Sequence, residues 1–359
     1  MRAPKLLSTT LSAAAALGLV LSLAPAAHAT PQLTPYDVAS QDFNSSISLG
    51  EPSVPVKQAK PGVDTTMEQA RKAAGVTTGT AYPFDNPRNF EIPDPVAAYK
   101  HVPEIRTPGC KLTKKNPYPV IMVHGTWANA QKWEVMAPAL QKAGYCVYGM
   151  NYGFDARNPI YNNPENGIFA TSGSYASAIE LNNYVNKVLR ETGAKKVHLV
   201  GHSQAGFVFR LWMHDFRGNQ RTSRVVTLGG TNHGTTMMGI TDFLPVWNVP
   251  TVANAAGVLL SQAAMGQLIG SPVQKYIESL PETMPGVKYT VITTKDDNTS
   301  TPYDASFLKA GPRAEVSNVV VQDVCKVDHK IDHNDLTTDP IPTELVIKGL
   351  QGKKVSCTA

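Results

Sequence analysis

The stretch from Val197 to Gly206, which reads VHLVGHSQAG, decides the fold of this chain. It begins with a mostly apolar, β-branched run, and the residues after it continue to Phe216 with helical periodicity and no proline. This pattern predicts a strand, a sharp turn and a helix. Ser203 would stand on the turn, outside the sheet, where a base and oxyanion donors can reach its hydroxyl. The flanking glycines suit such a turn, because a Cβ there would meet the neighbouring strand or helix.

Strands and helices alternate on both sides of this stretch. The segments before it are a strand at Pro119 to Val123, a helix with Trp133, Met136 and Leu140 on its apolar face, a strand at Cys146 to Tyr152 and a helix at Ser174 to Thr192. The segments after it are strands at Arg224 to Gly230, Tyr289 to Thr294 and Val316 to Val324, and a helix at Pro340 to Leu350. The alternation predicts a mostly parallel central sheet with helices on both faces, the sheet on which the α/β-hydrolase arrangement places such a serine turn.

The segment 235–286 is longer and more apolar than a simple crossover between two strands requires. Two interpretations stay open for it. It forms a cap that supplies the acyl-binding wall over the serine, or its helices complete the ordinary core.

The first residues predict export. Arg2 and Lys5 precede an apolar run at Leu11 to Leu23, which is too short to span a bilayer, and Ala27-His28-Ala29 provides a small-x-small cleavage site. We expect a signal peptide at 1–29, cleaved after Ala29, and a secreted protein. Residues 30–108 contain 11 of the 27 prolines and little apolar periodicity, which predicts an extended arm or linker before a catalytic domain at 109–359.

Charge and cysteine usage narrow the function classes. Removal of the two basic residues in 1–29 lowers the formal charge from +5 to +3, so charge gives no indication of a nucleic-acid partner. The four cysteines contain no Cys-x-x-Cys pair, and in an exported chain two disulfides are expected rather than a metal site. Of the three pairings we favour Cys110 with Cys146 and Cys325 with Cys357. We expect no cofactor and a monomer.

Acidic and basic candidates follow the later strands. Asp296 and Asp297 come directly after the strand that ends at Thr294, and two histidines, His329 and His333, come after the last strand. The carboxyl ends of parallel strands gather active-site residues, and this fold orders its triad as serine, acid, histidine. We therefore predict Ser203 as nucleophile, His333 as general base and Asp297 as the carboxylate that orients it.

Two backbone N–H groups are candidates for the oxyanion hole. Gln204 stands at the N-terminus of the helix after the serine, and Thr126 lies in the turn after the first predicted strand. We expect structural roles for the other nearby histidines. His202 should pack or hydrogen-bond locally, and His124 and His233 should support the turns beside them.

Five segments in one order resemble the class 2 lipase family, in particular its secreted actinobacterial esterase/lipases. They are Val-His-Gly-Thr at 123–126, Gly-Tyr-Cys-Val-Tyr at 144–148, Asn-Tyr-Gly at 151–153, Gly-His-Ser-Gln-Ala-Gly at 201–206 and Thr-Asn-His-Gly-Thr at 231–235. The similarity extends over roughly Cys110 to Cys357. The resemblance implies an α/β-hydrolase fold and hydrolysis of carboxylic esters, of triacylglycerol type, without a cofactor. We also expect transient contact with a lipid interface.

The resemblance also selects between neighbouring candidates. The family's acid loop is similar to Thr294-Lys295-Asp296-Asp297 followed by Thr301-Pro302, which favours Asp297. Its histidine precedes an Asp-Pro pair, here Asp339-Pro340, which favours His333 over His329.

Three alternatives remain at the sequence level. The same acyl-enzyme could pass its acyl group to a cell-envelope alcohol, which would make the protein an acyltransferase. A cutinase-like polyester hydrolase is a variant of the main hypothesis. A binding protein with the hydrolase fold but no catalysis belongs to another class.

Overall fold

The computed structural model describes residues 98–156, 158–239 and 250–357 of the chain. The signal peptide expected at 1–29, the arm up to residue 97 and residues 240–249 of the candidate cap lie outside the described residues. Within the described part, no helix is long and apolar enough to cross a membrane.

A single sheet organises the described residues. Its strands are β1 (Ile105–Arg106), β2 (Val120–Val123), β3 (Val147–Met150), β4 (Val197–His202), β5 (Thr222–Leu228), β6 (Lys288–Thr293) and β7 (Glu315–Val320). They lie in the order β1-β3-β2-β4-β5-β6-β7. β1 pairs antiparallel with β3, and every other pairing is parallel. The mostly parallel sheet predicted from the sequence is therefore confirmed.

The strand before the serine occupies the centre of the sheet. All six residues of β4 are buried, which fits its mostly apolar sequence. Its neighbours β2 and β5 pair with it up to its last residues, with Val123 opposite Gly201 and Leu228 opposite His202. The carboxyl ends of these three strands therefore meet around the turn that carries Ser203.

Helices cover both faces of the sheet. They are α1 (Met136–Lys142), α2 (Ser174–Thr192), α3 (Gln204–Asp215), α4 (Pro250–Gln267), α5 (Pro272–Ser279), α6 (Val321–Val324) and α7 (Pro340–Gln351). Residues of α2, α3 and α5 form one apolar cluster with the sheet, and residues of α1 and α7 form a second. Each face of the sheet thus has its own core.

The domain begins before the boundary expected at residue 109. Ile105 and Arg106 pair with Gly149 and Tyr148 at the edge of the sheet, and Ala98 and Val102 are buried in a small cluster with Phe169. The end of the expected arm is thus part of the folded domain. Two paired residues are too few to produce a periodicity that a sequence pattern reveals.

Two predicted elements are shorter than expected. The strand expected over Val316 to Val324 ends at Val320, and the next four residues form the helical turn α6. The chain turns there because the side chain of Gln322 bonds the preceding loop, donating to Thr294 Oγ1 at 2.7 Å and accepting from the backbone N–H of Lys295 at 3.1 Å. The helix expected around Trp133 is divided into a 3-10 turn, Ala130–Trp133, and α1.

The candidate cap at 235–286 fits each of the two open interpretations in part. Val273, Tyr276 and Ile277 of α5 are buried in the main core. Leu260, Ala264 and other apolar residues of α4 form a separate cluster with Met237, against which Trp127 packs. Part of the segment therefore completes the core, and part forms an apolar wall beside the turn after β2.

The four cysteines form two disulfides. Cys110 is joined to Cys146 and Cys325 to Cys357, which are the pairings favoured from the sequence. They close loops of similar length, with sequence separations of 36 and 32 residues. On the entropic model each restricts the unfolded chain by about 4 kcal/mol.

Candidate active site

Ser203 occupies a strained turn between β4 and α3. Its backbone has φ 56° and ψ −119°, a conformation that L-residues rarely adopt. The turn is held because Ser203 N–H donates to Leu228 O at 3.0 Å, while Ser203 O accepts from the N–H groups of Gly206 and Thr231, each at 3.1 Å. The side chain lies at the carboxyl edge of the sheet, in a residue that is 6% exposed.

The two glycines of the elbow are required by close contacts. A Cβ on Gly201 would lie 2.5 Å from Phe209 of α3, and one on Gly206 would lie 2.5 Å from Asn232 Oδ1. Gly125 of the turn after β2 is equally confined, since its Cβ would come within 2.8 Å of Ser203 Cβ. Small residues thus allow the turn after β2 to approach the serine.

Asp297 and His333 form a direct hydrogen bond. His333 Nδ1 lies 2.8 Å from Asp297 Oδ2, and both side chains are almost fully buried. The other carboxylate oxygen, Oδ1, accepts from the N–H groups of Thr299 at 2.9 Å and Ser300 at 2.7 Å. Because the carboxylate occupies Nδ1, the imidazole presents Nε2 as the nitrogen available for proton transfer.

Gly229, directly after β5, allows this pair to form. Its φ is +51°, and a Cβ there would lie 2.8 Å from Asp297 Oδ2 and 3.0 Å from His333 Nδ1. The residue before it, Leu228, accepts the hydrogen bond from Ser203 N–H. The end of β5 therefore contacts the serine on one side and the aspartate and histidine on the other.

His202 contacts the predicted base rather than its own turn. Its Nε2 lies 2.9 Å from His333 O, and the two ring centroids are 4.5 Å apart. Burial, with the nearby His333 and Lys132 as further causes, holds the pKa of His202 well below its usual value. The neutral ring therefore carries its proton on Nε2 and donates to His333 O. The ring packs, as one of the two expectations had it, but its hydrogen bond is not local, because it spans 131 positions.

The alternative acid and base have other partners. Asp296 Oδ2 accepts from Gln322 Nε2 at 3.1 Å and from Ile331 N–H at 3.4 Å, so it fastens the loop. His329 lies between two other carboxylates, with Asp328 at 2.9 Å and Asp339 at 2.7 Å. These bonds raise the pKa of the exposed His329.

The turn after β2, residues 124–127 and called the oxyanion turn below, lies against the start of α3. Thr126 Oγ1 donates to Gln204 Oε1 at 2.9 Å, so the two residues predicted to supply the oxyanion N–H groups are directly joined. The backbone carbonyl of His124 accepts from Tyr152 Oη at 2.7 Å. Trp127 has φ 58°, a left-handed conformation that is unusual for a bulky residue.

His124 and His233 have the structural surroundings expected from the sequence. His124 is fully buried, its Nδ1 is 2.9 Å from Gly125 O, and burial lowers its pKa to about 4. His233 links three segments, through Glu278 Oε1 at 2.8 Å and Phe307 O at 2.9 Å.

Three contributors escaped the sequence analysis: Gly229, Lys132 and Gln267. Lys132 Nζ donates to Asn334 Oδ1 at 2.9 Å, beside the predicted base. Gln267 Nε2 donates to Thr126 Oγ1 at 3.0 Å across 141 positions of sequence. Of the three, only Gly229 offered a sequence signal, since it lies at the carboxyl end of the strand predicted at Arg224 to Gly230, an edge that borders active sites in parallel sheets.

The described residues include no group of three or more His, Cys, Asp or Glu side chains that could hold a metal ion. The site as built offers a serine hydroxyl, a carboxylate-oriented imidazole and two candidate backbone donors. Groups of these types can carry out acyl transfer through a covalent intermediate.

Comparison with known proteins agrees with this architecture. Residues 118–279 match the family described as the alpha/beta hydrolase fold. Lipase B of Aspergillus fumigatus superposes with a TM-score of 0.54 at 16% identity, covering 69% of this chain and 55% of that one. The chain has the α/β-hydrolase fold.

Two curated relatives share a shorter segment with this α/β-hydrolase chain. Triacylglycerol lipases of Pseudarthrobacter phenanthrenivorans and Burkholderia plantarii are each 35% identical to it over 99 residues. The shared segment covers 26% of this chain and 27% and 24% of the two relatives. It thus spans about a quarter of the length of each lipase.

Proposed function

We propose that this protein is a secreted serine hydrolase that cleaves carboxylic esters through an acyl-enzyme on Ser203. The observation that carries the proposal is the buried His333–Asp297 pair at 2.8 Å beside the strained serine turn. A surface histidine and a solvated aspartate would not need a glycine with φ +51° to make room for them. A carboxylate-oriented imidazole next to a serine turn supports nucleophilic catalysis by the serine.

In the acylation step, Ser203 Oγ attacks the ester carbonyl carbon while His333 Nε2 takes the hydroxyl proton. The carbonyl oxygen becomes an oxyanion, which accepts hydrogen bonds from the N–H groups of Thr126 and Gln204. The carbon–oxygen bond to the alcohol then breaks, and His333 gives its proton to the leaving alkoxide. Asp297 stabilises the imidazolium that exists between these two transfers.

Deacylation repeats the same steps with water. His333 takes a proton from the water as its oxygen attacks the acyl-enzyme, and the proton then returns to Ser203 Oγ as the acid leaves. Burial keeps His202 neutral, so it adds no positive charge beside the imidazolium of His333.

The substrate class follows from the apolar wall and the relatives. Trp127, adjacent to the proposed oxyanion donor, packs on apolar residues including Met237 and Leu260, which would favour an acyl chain. Triacylglycerol lipase is the name of both curated relatives, and the resemblance to secreted class 2 lipases points to the same class. Two disulfides accord with an exported protein.

The test compares Ser203→Ala with the unaltered protein on p-nitrophenyl esters from acetate to palmitate. We expect the variant to lose at least about 10³-fold in kcat, because the nucleophile is absent. A fluorophosphonate should label the unaltered protein and leave the variant unlabelled. Ser177→Ala is a matched control, since this buried hydroxyl donates to Gly173 O at the start of α2 and bonds no residue proposed for the reaction. Equal hydrolysis by Ser203→Ala would overturn the proposal.

The same assay separates hydrolysis from acyl transfer. Glycerol or trehalose added as acceptor alcohol competes with water for the acyl-enzyme. We expect free acid as the main product, and mainly transferred ester would identify an acyltransferase instead.

A further inference from the structure

Gln267, the last residue of α4, has a buried side chain that joins segments distant in sequence. Its Nε2 donates to Thr126 Oγ1 at 3.0 Å and to Ala263 O at 2.8 Å. Its Oε1 accepts from Thr231 Oγ1 at 2.8 Å. The residue is only 3% exposed, so water cannot easily replace these three bonds.

The orientation of this amide is fixed by its partners. Ala263 O is a carbonyl and can only accept, so the amide nitrogen must face it and Oε1 must face Thr231. Thr126 Oγ1 then accepts a hydrogen bond from Gln267 Nε2, and its hydroxyl donates to Gln204 Oε1. With Gln204 Oε1 as the acceptor, the hydroxyl of Thr126 points toward the residue after the serine.

This directed chain reaches both sides of the proposed oxyanion site. Thr126 belongs to the oxyanion turn, and Gln204 directly follows the nucleophile. Thr231, at the other end, donates its backbone N–H to Ser203 O at 3.1 Å. One amide thus connects the two residues proposed as oxyanion donors with the loop that holds the serine turn.

The oxyanion turn needs such support because its backbone is strained. Trp127 has φ 58°, and a bulky residue keeps such a conformation only where its surroundings determine it. Thr126 is the neighbour of Trp127, and its side chain is anchored by Gln204 and Gln267 alone among the described side-chain contacts. Loss of the Gln267 bond would let the turn relax and move Thr126 N–H away from the oxyanion.

We propose that Gln267 is a positioning residue for the oxyanion site, acting through the hydroxyl of Thr126. The inference rests on the proposed function, because it assigns a role within the same ester hydrolysis. Gln267 itself touches no reacting atom. Its effect should therefore appear in the stabilisation of the transition state and hardly in substrate binding.

The first experiment replaces the amide by an apolar group of similar length, Gln267→Met. We expect kcat on p-nitrophenyl butyrate to fall about 10- to 100-fold, somewhat less than the loss of a whole oxyanion donor, with KM within about twofold. A phenylboronic acid forms a tetrahedral adduct with the serine, and its inhibition constant should rise by a similar factor. Gln274→Met is the matched control, a buried glutamine that bonds only Gly270 N–H, His233 O and its own helix.

A double-mutant cycle with Thr126→Val distinguishes positioning from general support of the fold. Thr126→Val keeps the backbone N–H and removes the hydroxyl, so it should lower kcat as Gln267→Met does. When Gln267→Met is added to Thr126→Val, the further loss of kcat should be smaller than about twofold. Thr126→Ser restores the hydroxyl and should return kcat to within about threefold of the unaltered protein.

Unchanged kcat and boronate inhibition in Gln267→Met would overturn the inference, as would fully multiplicative effects in the cycle. If Gln267→Met does not fold by circular dichroism, the comparison of Thr126→Val with Thr126→Ser decides, and equal kcat for those two overturns it. Failure of the proposed function is recognised separately, since the unaltered protein would then neither hydrolyse the ester nor react with a fluorophosphonate.

Discussion

The base loop, residues 325–339, and the oxyanion turn lie close to Ser203 but are held by different means. The base loop is fastened through main-chain carbonyls, with His202 donating to His333 O and Thr294 Oγ1 donating to Ile331 O at 2.6 Å. It also carries the Cys325–Cys357 disulfide at its start. The oxyanion turn depends instead on side-chain amides and hydroxyls, above all those of Gln204 and Gln267.

This difference indicates how the base loop and the oxyanion turn should each respond to the loss of one hydrogen bond. The base loop has several independent anchors, so removing one of them should shift its stability more than its geometry. Each bond of the oxyanion turn depends on the direction of the next, because a hydroxyl and an amide set each other's proton positions. We therefore expect graded losses on the base side unless the imidazole itself is disturbed.

The largest expected effect disturbs the imidazole without moving its loop. In Asp297→Asn the remaining oxygen can still accept from Thr299 and Ser300, but an amide N–H would face His333 Nδ1 and favour the wrong tautomer. We expect kcat to fall about 10³- to 10⁴-fold, with an unchanged melting temperature. Asp296→Asn is the control and should remain within about threefold, since its carboxylate contacts only the loop backbone and Gln322. Equal losses in the two variants would contradict the assignment of Asp297.

The disulfides give the next effect, on stability. Cys325→Ser/Cys357→Ser and Cys110→Ser/Cys146→Ser open loops of 32 and 36 positions, so each should lower the free energy of unfolding by about 4 kcal/mol. Only the first pair flanks the base loop. Well below the melting temperature, its removal should lower kcat several-fold, while removal of the other pair should leave kcat unchanged. Identical kcat values would show that the disulfide does not help position the base.

Gly229→Ala tests the contact between the end of β5 and the base. The added Cβ would meet Asp297 Oδ2 and His333 Nδ1 in a backbone with φ +51°, so we expect kcat to fall about 100-fold. Gly193→Ala is a matched control, because Gly193 has φ +67° and a Cβ added there would have no heavy atom within 4 Å. Gly193→Ala should lose about 1 kcal/mol of stability from backbone strain, and Gly229→Ala should lose more, because its Cβ also displaces buried atoms. A normal kcat in Gly229→Ala would separate this glycine from the site.

The smallest effect concerns Glu180, a buried carboxyl of helix α2. Glu180 accepts from Gly153 N–H at 2.9 Å and from Tyr99 Oη at 2.7 Å, and burial raises its pKa to about 7. Between the ordinary carboxyl pKa and pH 7 the folded state therefore binds more protons than the unfolded state. The free energy of unfolding should decrease as pH rises through this window, because the charged form is buried.

Glu180→Gln removes that ionisation. Urea unfolding should show a weaker pH dependence between pH 5 and 8 and a gain on the order of 2 kcal/mol at pH 8. Glu134→Gln, at an exposed carboxylate, should keep the pH dependence of the unaltered protein. A Glu180→Gln variant that keeps the same pH dependence would show that the group responsible lies elsewhere.

The sequence predicted the central part of the fold because its signals are local. Helix α2 covers the predicted residues 174–192, since its apolar spacing ends at Gly193, which adopts φ 67° and caps the helix. Strand β4 and its turn were equally visible in VHLVGHSQAG. The edge strand β1 was missed because two residues of antiparallel pairing leave no pattern.

The chain order of the candidate catalytic residues could be predicted from the sequence, but the side chains that hold them in place could not. The order of Ser203, Asp297 and His333 follows from loops after successive strands, and this assignment stays a prediction until the variants are measured. Gln267 could not be found, because an amide that joins Thr126 and Thr231 has the same local sequence as any buried glutamine. The contact of His202 with His333 is likewise a property of the packed sheet.

The proposed base follows β7, the last strand, whereas the proposed nucleophile follows the central strand β4. The two groups are therefore synthesised at different times. The elbow and the oxyanion turn emerge from the ribosome well before the segment that carries His333. Under the proposed mechanism, a nascent chain thus exposes a serine without its base, and it cannot hydrolyse an ester at that stage. Catalytic competence would arise only when the last strand has joined β6, so the enzyme stays inactive until its fold is nearly complete.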